Sequence, residues 1–127
     1  MPTTEAEKPR LLLPDGPALV AGFGTGALAF PDGTIETLPG PALGARLADL
    51  PPPIVCHLPA TLRRLGLARL AAHDVLELFA FCRPAEPCVP TPRGLALALD
   101  LAPPHGPEEA ALLLPQAATA LLRGLAM

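Results

Sequence analysis

Pro53-Ile54-Val55-Cys56-His57, then Thr61-Leu62-Arg63-Arg64-Leu65-Gly66, then Asp74-Val75-Leu76-Glu77-Leu78-Phe79-Ala80-Phe81-Cys82-Arg83-Pro84 are the blocks on which the fold turns. Ile54-Val55-Cys56 is a short, unbroken apolar run behind three prolines, too short for a helix and suited to a strand buried on both faces in a parallel position. Pro59 to Leu67 predicts a helix, with Gly66 placed as its C-cap. From Asp74 to Phe81 the spacing of Val75, Leu78, Phe79 and Cys82 predicts a second helix, with Asp74 as N-cap. Phe79 and Phe81 cannot lie on one helical face.

Working outward, residues 1–10 are polar and unpatterned, so a disordered lead-in is expected, with one domain over residues 11–127. Ala18 to Phe30 is apolar and Gly-rich. It meets the turn signal Pro31-Asp32-Gly33 before the alternating Thr34-Ile35-Glu36-Thr37-Leu38, which predicts a meander of two or three antiparallel strands. Leu43, Leu47 and Leu50 at helical spacing behind Pro41 give a short helix, stopped by Pro51-Pro52-Pro53. Thr91 as N-cap and Pro92 at the first position open another helix that buries Leu95 and Leu99, with Ala98 beside them. The last element spans Pro107 to Ala126, with Glu108 and Glu109 in its first turn. Pro115 interrupts it, and an interior proline costs about 3 kcal/mol, so a kink or two shorter helices is expected. The order describes a mixed α/β domain around a sheet of about four strands.

The 127 residues suffice for one core and leave no room for a second catalytic domain. A net charge of −3, with Lys8 the only lysine, lacks the basic excess that dominates phosphate binding, so tight autonomous nucleic-acid binding is not expected. The apolar runs are cut by Pro, Gly or charge before reaching the ~18 to 20 residues of a membrane span. Met1 to Lys8 shows no basic leader ahead of a long apolar segment, and a cytoplasmic location is expected. Three cysteines without a Cys-x-x-Cys spacing read as free, small apolar side chains. Richness in Ala, Leu, Pro, Gly and Arg suggests a GC-rich genome.

Candidate chemistry is sparse. Gly22-Phe23-Gly24-Thr25-Gly26 lacks both the Gly-x-Gly-x-x-Gly spacing and a following Lys-Ser or Lys-Thr, so it reads as a hairpin or bulge rather than a phosphate loop. His57, His73 and His105 with Asp74, Glu108 and Glu109 show no metal-ligand spacing, and surface or capping roles suit them better. The chain has no serine, which excludes serine-dependent hydrolysis. Cys56-His57 are chain neighbours, and Cys56 lies in a buried strand, so they do not form a nucleophile-base pair. Arg46, Arg63, Arg64 and Arg69 could touch phosphate if they converged. Adjacent arginines on an amphipathic helix are more often its solvated face. The chain lacks Trp and Tyr, and its four Phe read as buried, so no stacking platform accompanies these arginines.

Ile54-Val55-Cys56-His57, Asp74-Val75-Leu76-Glu77-Leu78, Pro84, Thr91-Pro92-Arg93-Gly94-Leu95-Ala96 and Pro104-His105 before Glu108-Glu109-Ala110 together resemble the DEDDh-type exonuclease domains. The Leu-Glu-Leu-Phe-Ala-Phe-x-Arg-Pro and Pro-Thr-Pro-Arg-Gly-Leu-Ala blocks look like the N-terminal region of DinG-like, ATP-dependent DNA helicases. The likeness extends over about residues 15 to 125. It implies a ribonuclease H-like fold and a place as accessory domain of a helicase whose ATP- and Mg-binding motifs lie beyond Met127. Partners would be the helicase motor domains, in cis or trans, with at most weak DNA contact and no membrane.

The departures from that pattern bear on activity. The family's first strand carries an Asp-x-Glu pair, whereas Ala18 to Phe30 contains no acid; Leu58 replaces the Asn after His57; and His105 is followed by Glu108 and Glu109 rather than by an Asp at the usual distance. Two-metal cleavage needs several carboxylates holding cations about 3.5 to 4 Å apart. The expectation is therefore a non-catalytic module without a cofactor of its own, with Asp74, His105, Glu108 and Glu109 as remnants. The alternatives are an active metal-dependent 3′-to-5′ exonuclease with these four as rearranged ligands, and an unrelated small α/β binding protein.

Overall fold

Alternation of small and branched apolar residues builds the sheet. The computed structural model describes residues 15–22 and 24–126; the expected lead-in over residues 1–10, the domain start at Leu11 and the burial of Phe23 lie outside the described residues. Strands β1 (Ala18–Ala21), β2 (Thr25–Ala29) and β3 (Ile35–Pro39) form the predicted antiparallel meander, with Ala18 opposite Ala29 and Ala29 opposite Ile35. The Gly-rich run is the first hairpin turn, closed by the Gly22 N–H donating to the Thr25 carbonyl at 2.7 Å. Asp32 Oδ1 closes the second by accepting from the Thr34 N–H at 2.9 Å, an Asx-type turn.

Helix α1 (Gly40–Ala48) leads to β4 (Ile54–Val55), which lies parallel to β1, and the Ile54 N–H donates to the Pro17 carbonyl at 2.9 Å. Helix α2 (Leu58–Leu65) ends at Gly66, whose φ of 71° is the left-handed conformation expected of a C-cap. β5 (His73–Asp74) then adds parallel to β4, followed by α3 (Val75–Cys82), α4 (Pro92–Ala98) and α5 (Pro107–Ala126). The sheet order is β3-β2-β1-β4-β5, five strands rather than about four. The missed strand has only two residues, too few for any alternation, and is tied in by the His73 N–H to the Pro53 carbonyl at 2.8 Å.

Strands β1, β2 and β4 each serve two layers. Ala18, Ala27, Ala29 and Ile54 face α3, α4 and α5, where Phe79, Leu95, Ala111, Leu114, Ala117 and Leu121 meet them. Leu19, Leu28 and Val55 face the other way, onto Leu43 and Leu47 of α1 and the half-buried Leu58 and Leu65 of α2. Alanines on both the sheet and α5 let that helix lie close, while the opposite layer interdigitates leucines. Gly26 is part of this fit: a Cβ there would stand 2.4 Å from Leu43 Cδ2.

Helix α5 runs as one element through Pro115, so of the two expected outcomes, a kink or two shorter helices, the division into two is corrected. Leu113 and Leu114 before the proline, and Ala117, Ala118 and Leu121 after it, are all buried, and that packing offsets the lost backbone hydrogen bond. On α4, Leu95 is buried as expected and Leu99 and Ala98 are half-buried, while Ala96 is also buried. Phe79 is 3% exposed and Phe81 74%, on opposite faces as their spacing requires. The expectation that all the phenylalanines are buried is thereby corrected, with Phe30 half-buried as well. Among the described residues no helix is long and apolar enough to cross a membrane.

Candidate functional site

In an open sheet with parallel strands, ligands bind beyond the carboxyl ends of the strands where the strand order reverses. Here the reversal falls between β1, which turns back into β2, and its other neighbour β4. The residues just beyond those ends are Gly22 after β1, Cys56 and His57 after β4, and the end of β5 at Asp74.

Asp74 organises this region. Its Oδ1 accepts from the Leu76 N–H at 2.9 Å, the N-cap bond predicted from its position. The same oxygen accepts from the His57 N–H at 3.0 Å, and Oδ2 accepts from the Leu58 N–H at 2.8 Å. One carboxylate therefore caps α3 and the first turn of α2 together, and two helix N-termini direct their unpaired N–H groups and positive ends at it. His57 makes this possible with a φ of 64°, an uncommon value for a residue with a side chain. Its carbonyl accepts from the Thr61 N–H and Oγ1, both at 3.2 Å, starting α2. The His57 imidazole makes no cap bond to the helix.

Cys56 sits beside this knot, half-buried. Burial first, then the charge of Asp74 and, least, of Cys88, push its thiol up to about 12. It is held as a neutral thiol at ordinary pH, the opposite of what a nucleophile needs. Cys88 is also pushed up by burial. All three cysteines are free.

The remaining candidates lie apart from this knot. Glu109 Oε1 accepts from the His105 N–H at 3.0 Å, so these residues cap the start of α5, with Glu108 exposed beside them. Among the described residues no three His, Cys, Asp or Glu side chains gather as a metal would require, so Asp74, His105, Glu108 and Glu109 do not form one ligand set. His73 is exposed on β5.

The four arginines divide as well. Arg46 is committed to Glu36, through Nε at 3.0 Å and Nη2 at 3.3 Å, and lies over the Phe30 ring at 5.4 Å from its centroid. Arg63 and Arg64 occupy the last turn of α2, where cations favour the helix dipole. Arg64 Nη1 reaches the Ala21 carbonyl at 3.4 Å, over the end of β1. Arg69 is exposed on the segment between α2 and β5.

Sequence reasoning anticipated the cap role of Asp74 but missed its two bonds to the β4–α2 junction and the reach of Arg64 to β1. No family model matches the chain, and neither a curated protein nor a solved structure matches it.

Proposed function

We propose that this chain is a ribonuclease H-like domain of exonuclease type that has lost two-metal chemistry and acts as a non-catalytic accessory module of a DinG-like, ATP-dependent DNA helicase. The arrangement of an antiparallel meander continued on its other side by parallel strands, with helices on both faces, supports the fold part of this reading. The observation that carries the functional part is the use made of Asp74. Metal-assisted phosphodiester cleavage needs several convergent carboxylates with free oxygen lone pairs. β1 (Ala-Leu-Val-Ala) supplies no acid, and the carboxylate beyond β5 spends its oxygens on three backbone N–H groups. Removing such a carboxylate disturbs folding rather than a reaction.

A docking role draws on the surface instead. Phe81, Val89 and Leu97 are 74%, 64% and 62% exposed, an unusual set of large apolar side chains to leave in water. Arg64, held over the end of β1, is the arginine best placed to meet a phosphate at the strand-order reversal.

The test of this reading is the coding sequence that follows Met127, read in frame and in the neighbouring frames. A Gly-Lys-Thr nucleotide-binding segment with helicase motifs is the expected result. An unrelated gene in all frames removes the helicase from the account.

A further inference from the structure

An open sheet has two edges, here β3 and β5, and of the two β3 is the longer, with five residues against two. The β2–β3 ladder fixes which of its backbone groups are left over. At one end the Phe30 N–H donates to the Thr34 carbonyl, and at the other the Gly40 N–H donates to the Gly24 carbonyl, both at 2.8 Å. Bonded residues alternate along an antiparallel pair, so Thr34, Glu36, Leu38 and Gly40 turn toward β2 while Ile35, Thr37 and Pro39 turn their backbone groups off the edge. Among the described residues no backbone partner meets those outward groups, and Thr37 and Pro39 are exposed. Edges are commonly blunted by charge, proline or a bulge. The charge on β3 is Glu36, which Arg46 neutralises at 3.0 Å; Pro39 is its last residue; and its register with β2 runs unbroken from Ile35 to Pro39.

We propose that β3 pairs antiparallel with β3 of a second copy of this chain, about a twofold axis at Thr37, joining the two sheets into one. The edge is self-complementary in that register. With Thr37 opposite Thr37, these two residues exchange a pair of N–H···O=C bonds, and each Ile35 N–H donates to the Pro39 carbonyl of the other copy. The N–H that Pro39 lacks falls at the ends of the pairing, where the facing Ile35 carbonyl stays with water. The side chains agree. Threonine meets threonine and Ile35 meets Pro39 on the face that Ile35 shares with the helices α3 to α5, while Glu36 meets Leu38 on the face toward α1. The neighbouring register, with Ile35 opposite Thr37, would set Glu36 directly against Glu36 of the other copy, and like charges so placed are destabilising. Charge and hydrogen bonding therefore select the same alignment.

The test is sedimentation velocity on the full chain and on full-length Thr37→Pro and Thr37→Lys variants over a roughly hundredfold range of protein concentration, with circular dichroism checking that each is folded. Proline at this position removes an outward N–H and no bond to β2, and lysine sets two cations against each other across the axis. The expected result is a monomer–dimer equilibrium in the parent chain whose dissociation constant rises at least ~10-fold in Thr37→Pro and also rises in Thr37→Lys. Site-resolved hydrogen exchange on the parent chain is expected to slow at the Ile35 and Thr37 amides as concentration is raised, with the Leu28 amide, inside the sheet, unchanged. A parent chain that stays monomeric across the range overturns the proposal. A dimer that both folded variants retain at the parent's strength overturns it too, assigning the contact to another surface such as that of Phe81, Val89 or Leu97. So does a dimer in which exchange at Ile35 and Thr37 ignores concentration.

Discussion

Replacing Asp74 by alanine removes three acceptor bonds at once, to the His57, Leu58 and Leu76 N–H groups at 3.0, 2.8 and 2.9 Å. Loss of the N-cap bond to Leu76 costs about 1 kcal/mol. The other two amides open the first turn of α2, and each loses a bond to a charged acceptor, worth roughly 1.5 kcal/mol when buried and about 1 kcal/mol at these half-buried positions. The sum is about 3 kcal/mol. Asp74→Asn keeps one acceptor oxygen and exchanges a charged bond for a neutral one, so it costs about half as much. Urea unfolding followed by far-ultraviolet circular dichroism reads both; with a slope near ~1.5 kcal/mol per molar the alanine midpoint falls by ~2 M and the asparagine midpoint by ~1 M. A midpoint lowered by less than ~0.3 M in the alanine variant refutes the idea that this carboxylate joins two helices to the β4 end. So would equal losses in the two variants, because the retained oxygen of asparagine would then count for nothing.

Other substitutions probe the packing and the thiol. Gly94→Ala places a Cβ 2.1 Å from the Val89 carbonyl oxygen, where backbone must move, and a loss of about 2 to 3 kcal/mol is expected in thermal melts. Gly26→Ala meets the end of the Leu43 side chain instead of backbone, and its expected loss is smaller, about 1 to 2 kcal/mol by the same measurement. Leu114→Ala, at a fully buried position under the sheet, is expected to cost about 2 to 5 kcal/mol in urea unfolding. Cys56 gives a pH signature. Its folded thiol is raised from 9.0 to about 12, so the unfolded chain releases this proton first as pH rises. Its contribution to stability is complete below pH 9 and is lost as pH climbs toward about 12. Cys56→Ala is expected to flatten that alkaline decline in stability, measured by urea midpoints across the window.

What could be read from the chain and what could not follow from the range of the interactions. The meander was legible because Pro31-Asp32-Gly33 is a local turn signal and Thr34 to Leu38 alternates. The caps at Asp74, Thr91 and Gly66 were legible for the same reason, each being satisfied within a few residues: Thr91 Oγ1 accepts from the Gly94 N–H at 2.9 Å. β5 was not, because a two-residue strand has no period and exists only through its pairing with β4 and the bond to Pro53. The second function of Asp74 was hidden too, since its bonds to His57 and Leu58 reach across 17 and 16 residues of chain. The possible division at Pro115 did not occur because propensity counts a lost hydrogen bond locally, while the buried residues on both sides of it act through the sheet. Phe81 misled because a run of apolar letters does not say which of two helical faces finds a partner.

The central claim is that the carboxylate beyond the parallel strands serves structure and not metal-dependent cleavage. The most direct measurement incubates the purified full chain with end-labelled single-stranded DNA in Mg²⁺ or Mn²⁺, alongside thermal unfolding across a titration of each ion. The account predicts no shortening of the DNA above the protein-free control and no ion-dependent rise in melting temperature. Metal-dependent shortening that disappears in a folded Asp74→Asn or Glu109→Ala variant, accompanied by stabilisation by the ion, would contradict it.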